Sequence, residues 1–327
     1  MRIGVVGRLE RDVFAANIID AVRDTGHVAV PLGPVRASHQ RAVVSRLAEL
    51  SLQALPRLDQ RAQRRIVHTA ADADCEVVLS VDARLMPDTV TALRRNGARV
   101  AFWFPDAVAN LGRALMLMAP YDAIFFKDPH VVDRLRAMLD LPVYYLPEGC
   151  NPRFHRPTVP AGSEPYLVMA GNMYPSRVRL LERMIAKGIP VRAYGGPIPR
   201  WIGDSPVRRI HAGYPIVAEE KARVFRAAAG VLNNLHPAEV AGVNARLFEA
   251  AGSGAAVLAE FRPALPQLFA AEKEILAFSD FDELVEQASR LLHESGLTAR
   301  LGDAAAQRAH RDHTLAQRIT TILRKVA

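Results

Sequence analysis

The amino-acid sequence predicts an α/β protein made of two Rossmann-like, doubly wound parallel-sheet domains that face a cleft. Its 327 residues correspond to about two domains of roughly 150 residues each. Short apolar runs alternate with amphipathic segments along the chain, which favours parallel strands connected by helices. The segment 147–165 interrupts this alternation with five prolines and two glycines, as is typical of an interdomain linker.

We therefore expect an N-terminal domain at 1–155, a C-terminal domain at 156–310, and a C-terminal helix at 311–327 that packs back on the N-terminal domain. In the first half, short apolar runs predict strands, and apolar positions spaced by about 3.6 residues predict helices. The predicted strands are 3–6, 28–32, 76–81, 99–104, 122–127 and 143–146, and the predicted helices are 13–24, 38–71 with a break at Pro56, 87–96 and 130–139.

The same alternation resumes after the linker. Its strands are predicted at 166–170, 191–194, 230–233 and 256–259, and its helices at 177–187, 218–228, 245–253, 282–294, 297–310 and 314–326. Because open parallel sheets bind ligands at the carboxyl ends of their strands, two such sheets suit a reaction that joins two substrates.

Composition excludes several classes of protein. Half of the residues are hydrophobic and 23% are charged, so the chain has enough apolar material for two cores and is not disordered. The longest apolar runs fall far short of the ~20 residues that span a bilayer, and the first residues lack the pattern of a secretory signal. Cys75 and Cys150 are too few for a disulfide framework. We therefore expect a cytoplasmic protein without a transmembrane segment.

The net charge of +8 favours acidic partners, including weak association with an anionic surface. Basic residues form no run of five or six, and the few aromatic residues do not interleave with them, so we expect no nucleic-acid partner. Serine-nucleophile elbows, Gly-Lys-Ser/Thr phosphate loops and paired Cys-x-x-Cys motifs are also missing from the sequence. Asp72 and Asp74 resemble a metal-binding pair, but their place before a buried strand favours a helix end, so we expect no metal.

The segment HPAEVAGVNARLFEAAGSGAAVLAE, residues 236–260, is the most informative part of the chain. It predicts a loop with Gly242, a helix N-cap at Asn244, and a helix that carries Arg246 and Glu249. Unpaired N–H groups at a helix start, together with the helix dipole, form a site for phosphate. Glu249 could accept hydrogen bonds from a ribose diol. The alternative is that Asn244 only caps the helix and that Arg246 and Glu249 form a surface ion pair.

A second loop, in YLVMAGNMYPSR at residues 166–177, has similar properties. Gly171 permits a close approach of the backbone at the end of a buried strand, and Asn172 follows it. Arg177 opens the next helix and could clamp an anion bidentately. The alternative is an ordinary strand–loop–helix connection with Arg177 in solvent.

Further segments complete a recognisable set. They are MAGNMYPSR (169–177), AYGGP (193–197), VLNNLHP (231–237), GVNARLFEAAGSGAAVL (242–258), KEILAFSDFDELVE (273–286), HRDHTLAQR (310–318), YDAIFFKD (121–128) and YYLPEGCNPRFHRP (144–157). Through these segments the sequence resembles the CgeB-like, spore-maturation-protein family of glycosyltransferases, which have the two-domain architecture called GT-B. The resemblance covers most of the chain after residue 76 and is strongest in the C-terminal half.

The resemblance implies that the C-terminal domain binds a nucleoside-diphosphate sugar as co-substrate, without a metal or another cofactor. Glu249 matches the ribose-binding glutamate of the family. The remaining donor-binding positions are Gly242, Val243 and Asn244 for the pyrophosphate, Gly171, Asn172 and Arg177 for the first donor loop, Tyr194 and Gly195 for the base, and Arg246 and His236 beside them. His236 has the alternative of a histidine packed beside the helix. Related retaining enzymes carry two glutamates separated by seven residues, whereas nine separate Glu239 from Glu249.

The acceptor site is less clearly marked. A general base must lie within hydrogen-bond reach of the acceptor hydroxyl, and Asp106, Glu148 and His27 are the candidates, with capping, turn or surface roles as the alternative for each. The sequence predicts a metal-independent glycosyltransferase with a hydroxyl acceptor, of the hexosyltransferase kind. The other hypotheses are a non-catalytic GT-B-fold binding or scaffold protein, and a nucleotide-sugar epimerase.

Overall fold

The computed structural model describes residues 1–35, 56–107 and 115–326. The chain forms two compact α/β units. The first unit comprises Met1–Lys127, Val131–Leu146 and Leu315–Ala327, and the second comprises Asp128–His130 and Pro147–Thr314. The predicted helix from 38 to Pro56 lies outside the described residues.

All strand pairs in the two sheets are parallel, as the alternating sequence pattern predicts. The first sheet has the order β2-β1-β3-β4-β5-β6 and the second has the order β11-β10-β9-β7-β8. The strands are β1 (Arg2–Val6), β2 (Val28–Gly33), β3 (Val77–Ser80), β4 (Arg99–Phe104), β5 (Ala123–Phe126), β6 (Val143–Tyr145), β7 (Glu164–Ala170), β8 (Val191–Tyr194), β9 (Ala228–Asn233), β10 (Val257–Glu260) and β11 (Leu276–Phe278).

Helices connect these strands and cover both faces of each sheet. They are α1 (Phe14–Asp24), α2 (Pro56–Asp72), α3 (Pro87–Arg95), α4 (Pro129–Leu139), α5 (Pro175–Ala186), α6 (Val207–Ile210), α7 (Ala218–Ala227), α8 (Ala245–Gly252), α9 (Leu265–Leu268), α10 (Phe281–His293), α11 (Leu297–Asp312) and α12 (Leu315–Val326). The sequence pattern predicts the longer elements but misses β11, α6 and α9. These are only three or four residues long, too short to show a period.

The core of the first unit lies on both faces of its sheet. Successive side chains of a strand point to opposite faces, so in β4 Phe102 and Phe104 pack on one side and Trp103 packs on the other. Residues of α2 and α3 cover the first side, and α1 and α12 cover the second. The near-continuous apolar pattern of β4 is therefore that of a strand buried on both faces.

The last helix packs in the first unit. Its buried residues Leu315, Ile319, Ile322 and Val326 recur at helical spacing and join the cluster that contains Ile18 of α1. The expected C-terminal segment began at residue 311, but residues 311 and 312 still belong to α11, which ends at Asp312.

The second unit begins at residue 147, nine residues before the boundary expected between 155 and 156. Cys150 is fully buried in the core of the second unit, and its N–H donates to the carbonyl of His313 at 2.9 Å. His155 is also buried. The prolines of this segment prevent regular structure without keeping its side chains out of a core.

The sheet of the second unit is likewise covered on both faces. Residues of α7, α8, α9 and α11 form the cluster on one face, and residues of α5 and α10 form the cluster on the other. The connection from β7 therefore leaves to one face and the connection from β9 leaves to the opposite face. In the described parts of the chain, no helix is long and apolar enough to cross a membrane.

The buried face of α12 gives a prediction about stability. Replacing Ile319, which is 1% exposed, by alanine leaves a cavity between α12 and α1. We expect the free energy of unfolding, measured by urea denaturation, to fall by about 2–5 kcal/mol. The neighbouring exposed Thr320→Ala is the control and should change it by less than about 1 kcal/mol. Equal effects of the two substitutions would contradict the packing of α12.

Candidate functional site

The topology of the second sheet indicates where a ligand binds. Strands β7 and β9 are neighbours, and the connections that follow them pass to opposite faces of the sheet. In open α/β sheets, the crevice at such a switch point, outside the carboxyl ends of the strands, is the ligand site. The loops after β7 and β9 are the two loops that the sequence singles out.

The loop after β7 is held tightly against the end of β8. Gly171 has a φ of +137°, and its N–H donates to the carbonyl of Tyr194 at 2.8 Å. A Cβ atom on Gly195 would lie 2.4 Å from the carbonyl oxygen of Gly171. Only glycine fits at Gly195 because the two backbones meet there. The structure thus brings together Gly171, Tyr194 and Gly195, which the sequence analysis assigned to one site.

Arg177 is buried and binds its own chain. Its Nη1 donates to the carbonyl of Asn172, and Nε and Nη2 donate to the side chain and the carbonyl of Asn234, at 2.6, 2.9 and 3.0 Å. The alternative of an Arg177 in solvent is therefore wrong. The sequence analysis also expected Arg177 to clamp an anion with two N–H groups. In the structure each of its three guanidinium nitrogens already donates one hydrogen bond to the protein.

The charge of Arg177 has no carboxylate partner among the described residues. The pKa of Arg177 is lowered to about 10, first of all by burial and then by the charge of Arg246, while Tyr174 and Glu260 act in the opposite direction. The guanidinium is therefore still a cation at neutral pH. A buried cation that forms no ion pair can attract an anionic ligand.

The start of α8 offers unused hydrogen-bond donors. Asn244 is the N-cap residue by its extended backbone, but its side chain makes no capping hydrogen bond, and its buried Oδ1 has no partner among the residues that the structure describes. Within the described chain, the N–H groups of residues 243–246 also have no acceptor. By contrast, Asp280 caps α10 by accepting from two N–H groups. The alternative that Asn244 only caps the helix is therefore wrong, and a helix start without a protein acceptor is a place where an anion can bind.

Gly242 is placed differently from Val243 and Asn244. Its N–H donates to Oδ2 of Asp128 at 3.2 Å. The sequence analysis assigned all three residues to a pyrophosphate loop. In the described part of the chain the N–H groups of Val243 and Asn244 have no acceptor, while that of Gly242 is engaged by a carboxylate of the protein. A hydrogen bond between residues 114 positions apart leaves no local signal in the sequence.

Glu249 lies between two cations. Its Oε1 is 2.9 Å from Nζ of Lys221, and its Oε2 is 2.7 Å from Nη1 of Arg246. The ion pair of Arg246 with Glu249, which was the alternative interpretation, is therefore formed, but it is not a surface pair because Glu249 and its second partner Lys221 are both buried. Sequence reasoning missed Lys221, because it lies on α7 and no spacing rule connects it to α8.

Aromatic and imidazole rings surround the end of β8. The ring of Tyr194 meets that of Tyr214 edge-on at 5.9 Å, and the N–H of Gly195 donates to the carbonyl of Tyr214. Buried His211 accepts from the N–H of Gly213 through Nδ1, and burial lowers its pKa. The sequence analysis missed His211 and Tyr214, which follow the short helix α6.

His236 is half-buried beside the first donor loop. Its ring meets the ring of Tyr174 edge-on at 4.7 Å, and its Nδ1 accepts from the N–H of Ala238 at 3.1 Å. These contacts match the alternative of a packed histidine, with the proton on Nε2. Glu239, three residues further along the chain, is buried, and its backbone carbonyl accepts a hydrogen bond from Nε of Arg262.

Comparison with known proteins adds to this geometry. Residues 177–324 match the family model described as glycosyl transferase-like, whereas no curated protein matches the chain. The structure is similar to sucrose-phosphate synthase from Thermosynechococcus elongatus, with a TM-score of 0.69, 14% identity, and coverage of 99% of this chain and 98% of that one. It is similar to Anabaena HepE in complex with UDP-glucose, with a TM-score of 0.69, 14% identity and 99% coverage of both chains.

A third similar structure is AviGT4, a glycosyltransferase involved in avilamycin A biosynthesis, with a TM-score of 0.60, 16% identity, and coverage of 99% of this chain and 97% of that one. The fold is that of the GT-B glycosyltransferases. At these identities the likeness establishes the fold alone, and it confirms the two parallel-sheet α/β domains that the sequence predicts.

Asp106, the first of the three acceptor candidates, lies in the first unit. It follows the carboxyl end of β4, is exposed, and lines a cavity of about 410 Å³ at the ends of β1, β3 and β4. Its Oδ1 accepts from the N–H of Ala107 at 2.8 Å. The cavity is also lined by Phe14, Phe104 and the ion pair of Asp82 with Arg84.

The other two acceptor candidates lie elsewhere. His27 lies in the turn between α1 and β2, at the amino end of its strand. Because the sheet is parallel, this is the edge opposite to the cavity that contains Asp106, so His27 does not line that cavity. Glu148 is 3% exposed and belongs to the second unit. The structure therefore does not bring the three candidates together within one unit.

The pair Asp72 and Asp74 forms a helix end. Asp72 is the last residue of α2, and Asp74 has a φ of +47° with its N–H donating to the carbonyl of Ala71. Both side chains are exposed. This confirms the helix-end interpretation of these two aspartates.

The contact between Gly171 and Gly195 gives a second prediction. Gly195→Ala forces the ends of β7 and β8 apart, whereas a Cβ on Gly196 meets nothing within 4 Å. We expect Gly195→Ala to lower the free energy of unfolding by about 1–3 kcal/mol. Gly196→Ala is the matched control, with a change within about 0.5 kcal/mol. Thermal and urea denaturation measure both, and a Gly195→Ala variant as stable as wild type would contradict this geometry.

Proposed function

We propose that this protein is a glycosyltransferase that moves a sugar from a nucleoside diphosphate to a hydroxyl acceptor. The observation that carries the proposal is the start of α8, which no side chain caps. Among the residues that the structure describes, no acceptor binds the N–H groups of residues 243–246, and Arg246 and buried Glu249 lie on the same helix. The match of residues 177–324 to the glycosyl transferase-like family supports it, because that segment contains this helix.

The donor occupies the second unit in this proposal. The diphosphate accepts hydrogen bonds from the N–H groups of Val243 and Asn244 and from the first turn of α8, and Arg246 and Arg177 supply positive charge. We propose that the carboxylate of Glu249, held between Lys221 and Arg246, accepts hydrogen bonds from the ribose hydroxyls. Asn172, Tyr194, Gly195 and His236 complete the donor site.

The diphosphate is also the leaving group. Negative charge develops on it as the bond to the sugar breaks, and the helix start and Arg246 are fixed in place to stabilise that charge. We propose that these groups serve in place of a divalent metal and that no further cofactor takes part. HepE is described in complex with UDP-glucose, and we propose UDP as the nucleotide for this chain as well.

The first unit binds the acceptor in this proposal. The cavity of about 410 Å³ presents Asp106 beside aromatic residues and the ion pair of Asp82 with Arg84. Asp106 is the proposed general base, because a carboxylate at the carboxyl end of a strand can accept the proton of an acceptor hydroxyl as it attacks the sugar. His27 and Glu148 are secondary candidates for the general base, because His27 lies at the opposite edge of the sheet and Glu148 belongs to the second unit.

The finer features of the proposal rest on the sequence. Segment by segment, the chain resembles the CgeB-like family, so we propose a CgeB-like enzyme that transfers a hexose or a modified sugar. The net charge of +8 supports weak association with an anionic surface, and we propose a cytoplasmic location. The spacing of Glu239 and Glu249 favours, as a second candidate, a binding protein of the same fold without catalytic activity.

The proposal predicts that a nucleotide stabilises the protein. A thermal-shift screen with UDP, GDP and TDP, and with their sugars, measures this. The nucleotide that fits, at 100 times its dissociation constant, should add about 2.7 kcal/mol to the free energy of unfolding. Slow release of free sugar from UDP-glucose without an acceptor separates the enzyme from the non-catalytic alternative. Absence of stabilisation by every nucleotide would contradict a donor site in the second unit.

Glu249 provides a second test. Glu249→Gln removes the negative charge between Lys221 and Arg246 and weakens the proposed hydrogen bonds to ribose. We expect the dissociation constant for UDP, measured by calorimetry well below the melting temperature, to rise about tenfold or more.

Asp303→Asn is the matched control for Glu249→Gln. Asp303 is also a carboxylate paired with a buried arginine of the second unit, Arg226 at 2.8 Å, but it lies outside the proposed donor site. It should leave the affinity for UDP unchanged. If both variants bind UDP as tightly as wild type, Glu249 does not contact the donor.

A further inference from the structure

Asp128 holds the loop that precedes α8. Its Oδ2 accepts hydrogen bonds from three successive N–H groups, those of Val240, Ala241 and Gly242, at 3.2, 2.9 and 3.2 Å. Its Oδ1 accepts from the N–H of His130 at 3.0 Å. The residue is only 2% exposed and belongs, like the loop, to the second unit.

Capping of α4 explains only half of this arrangement. Asp128 precedes Pro129, the first residue of α4, and the bond from His130 to Oδ1 is that of an ordinary helix cap. The three bonds to Oδ2 come from a loop more than a hundred residues away in the sequence. Converging backbone N–H groups of this kind form an anion-binding concavity, and a carboxylate of the protein fills it.

The N–H groups that bind Asp128 come directly before the start of α8 in the sequence. The N–H groups of residues 240–242 converge on Asp128, and those of residues 243–246 have no acceptor in the described chain. The two sets belong to consecutive peptide units, so fixing the first set limits the positions that the second set can take.

We propose that Asp128 is a positioning residue for the donor diphosphate. It acts as a fixed internal anion that holds residues 240–242 and so keeps the N–H groups of Val243, Asn244 and the first turn of α8 directed at the ligand. Asp128 itself does not touch the donor. This inference rests on the proposed function, since it assigns a role within the same donor site.

Two substitutions of Asp128 should weaken its hold on the loop to different extents. Asp128→Asn keeps one carbonyl oxygen as an acceptor but loses the negative charge, and charge-assisted hydrogen bonds are roughly twice as strong as neutral ones. Asp128→Ala removes the acceptor. The matched control is Asp122→Asn in the first unit, where the carboxylate of Asp122 also accepts from a backbone N–H, that of Val100 at 2.8 Å, and pairs with Arg94.

The first measurement is amide hydrogen exchange followed by NMR in the free protein. In Asp128→Asn, the N–H groups of Val240, Ala241 and Gly242 should exchange at least about tenfold faster than in wild type, while exchange in the strands of the second unit stays unchanged. The control Asp122→Asn should leave the exchange of these three groups unchanged. This readout needs neither ligand nor activity.

The second measurement compares UDP with uridine, which lacks the diphosphate. In Asp128→Asn the dissociation constant for UDP should rise about tenfold, that for uridine should change by less than about twofold, and Asp128→Ala should have the larger effect on UDP. A loss shared equally by UDP and uridine would show a general structural role and overturn the inference. Tighter binding of UDP to Asp128→Ala would also overturn it, because Asp128 would then occupy the place of the ligand.

The two proposals fail in different ways. If wild type binds no nucleotide, the proposed function fails before the variants are compared. If wild type binds UDP and Asp128→Asn binds it equally well, the proposed function stands and the role of Asp128 is wrong.

Discussion

The unsatisfied start of α8 is the constraint on which the rest of the site depends. A backbone N–H that has no acceptor costs free energy, and proteins usually satisfy the first turn of a helix with a side chain, as Asp280 does for α10. At α8 the side chain of Asn244 does not do so. In the function that we propose, an anionic ligand satisfies these donors when it binds. The neighbouring cations, Arg177 and Arg246, would attract the same anion.

Much of the surrounding structure keeps these donors in place. Asp128 ties down the loop on one side, and Arg177 ties the loop after β7 to the loop after β9 through Asn172 and Asn234. The contact between the backbones of Gly171 and Gly195 fixes the next strand end. Several of the polar groups near the ligand site therefore hold the site itself. A rigid site needs no reorganisation when charge develops on a leaving group.

The sequence determined the fold class through local rules. Alternating strands and helices predict two parallel sheets, and nearly all of the longer elements lie within a few residues of their predicted positions. Local rules also located the two loops, because glycine at a strand end and an N-cap before an amphipathic helix depend only on neighbouring residues. Local rules missed two kinds of feature. Some elements, such as β11 and α6, are too short to show a pattern, and other features, such as the burial of Cys150 in the second unit, depend on packing between distant residues.

Only the tertiary structure decided how each charged side chain is used. Arg177 has the same local sequence context whether it reaches a ligand or Asn234, and the structure shows the second. The roles of Lys221 and Asp128 could not be predicted from the sequence, because their partners, Glu249 and the loop at 240–242, lie far away along the chain. Periodicity and turn chemistry act over a few residues, so the sequence alone fixes elements and their order. Hydrogen bonds and ion pairs between distant residues form only when the chain has folded, so they decide which predicted site residues face a ligand and which hold the site together.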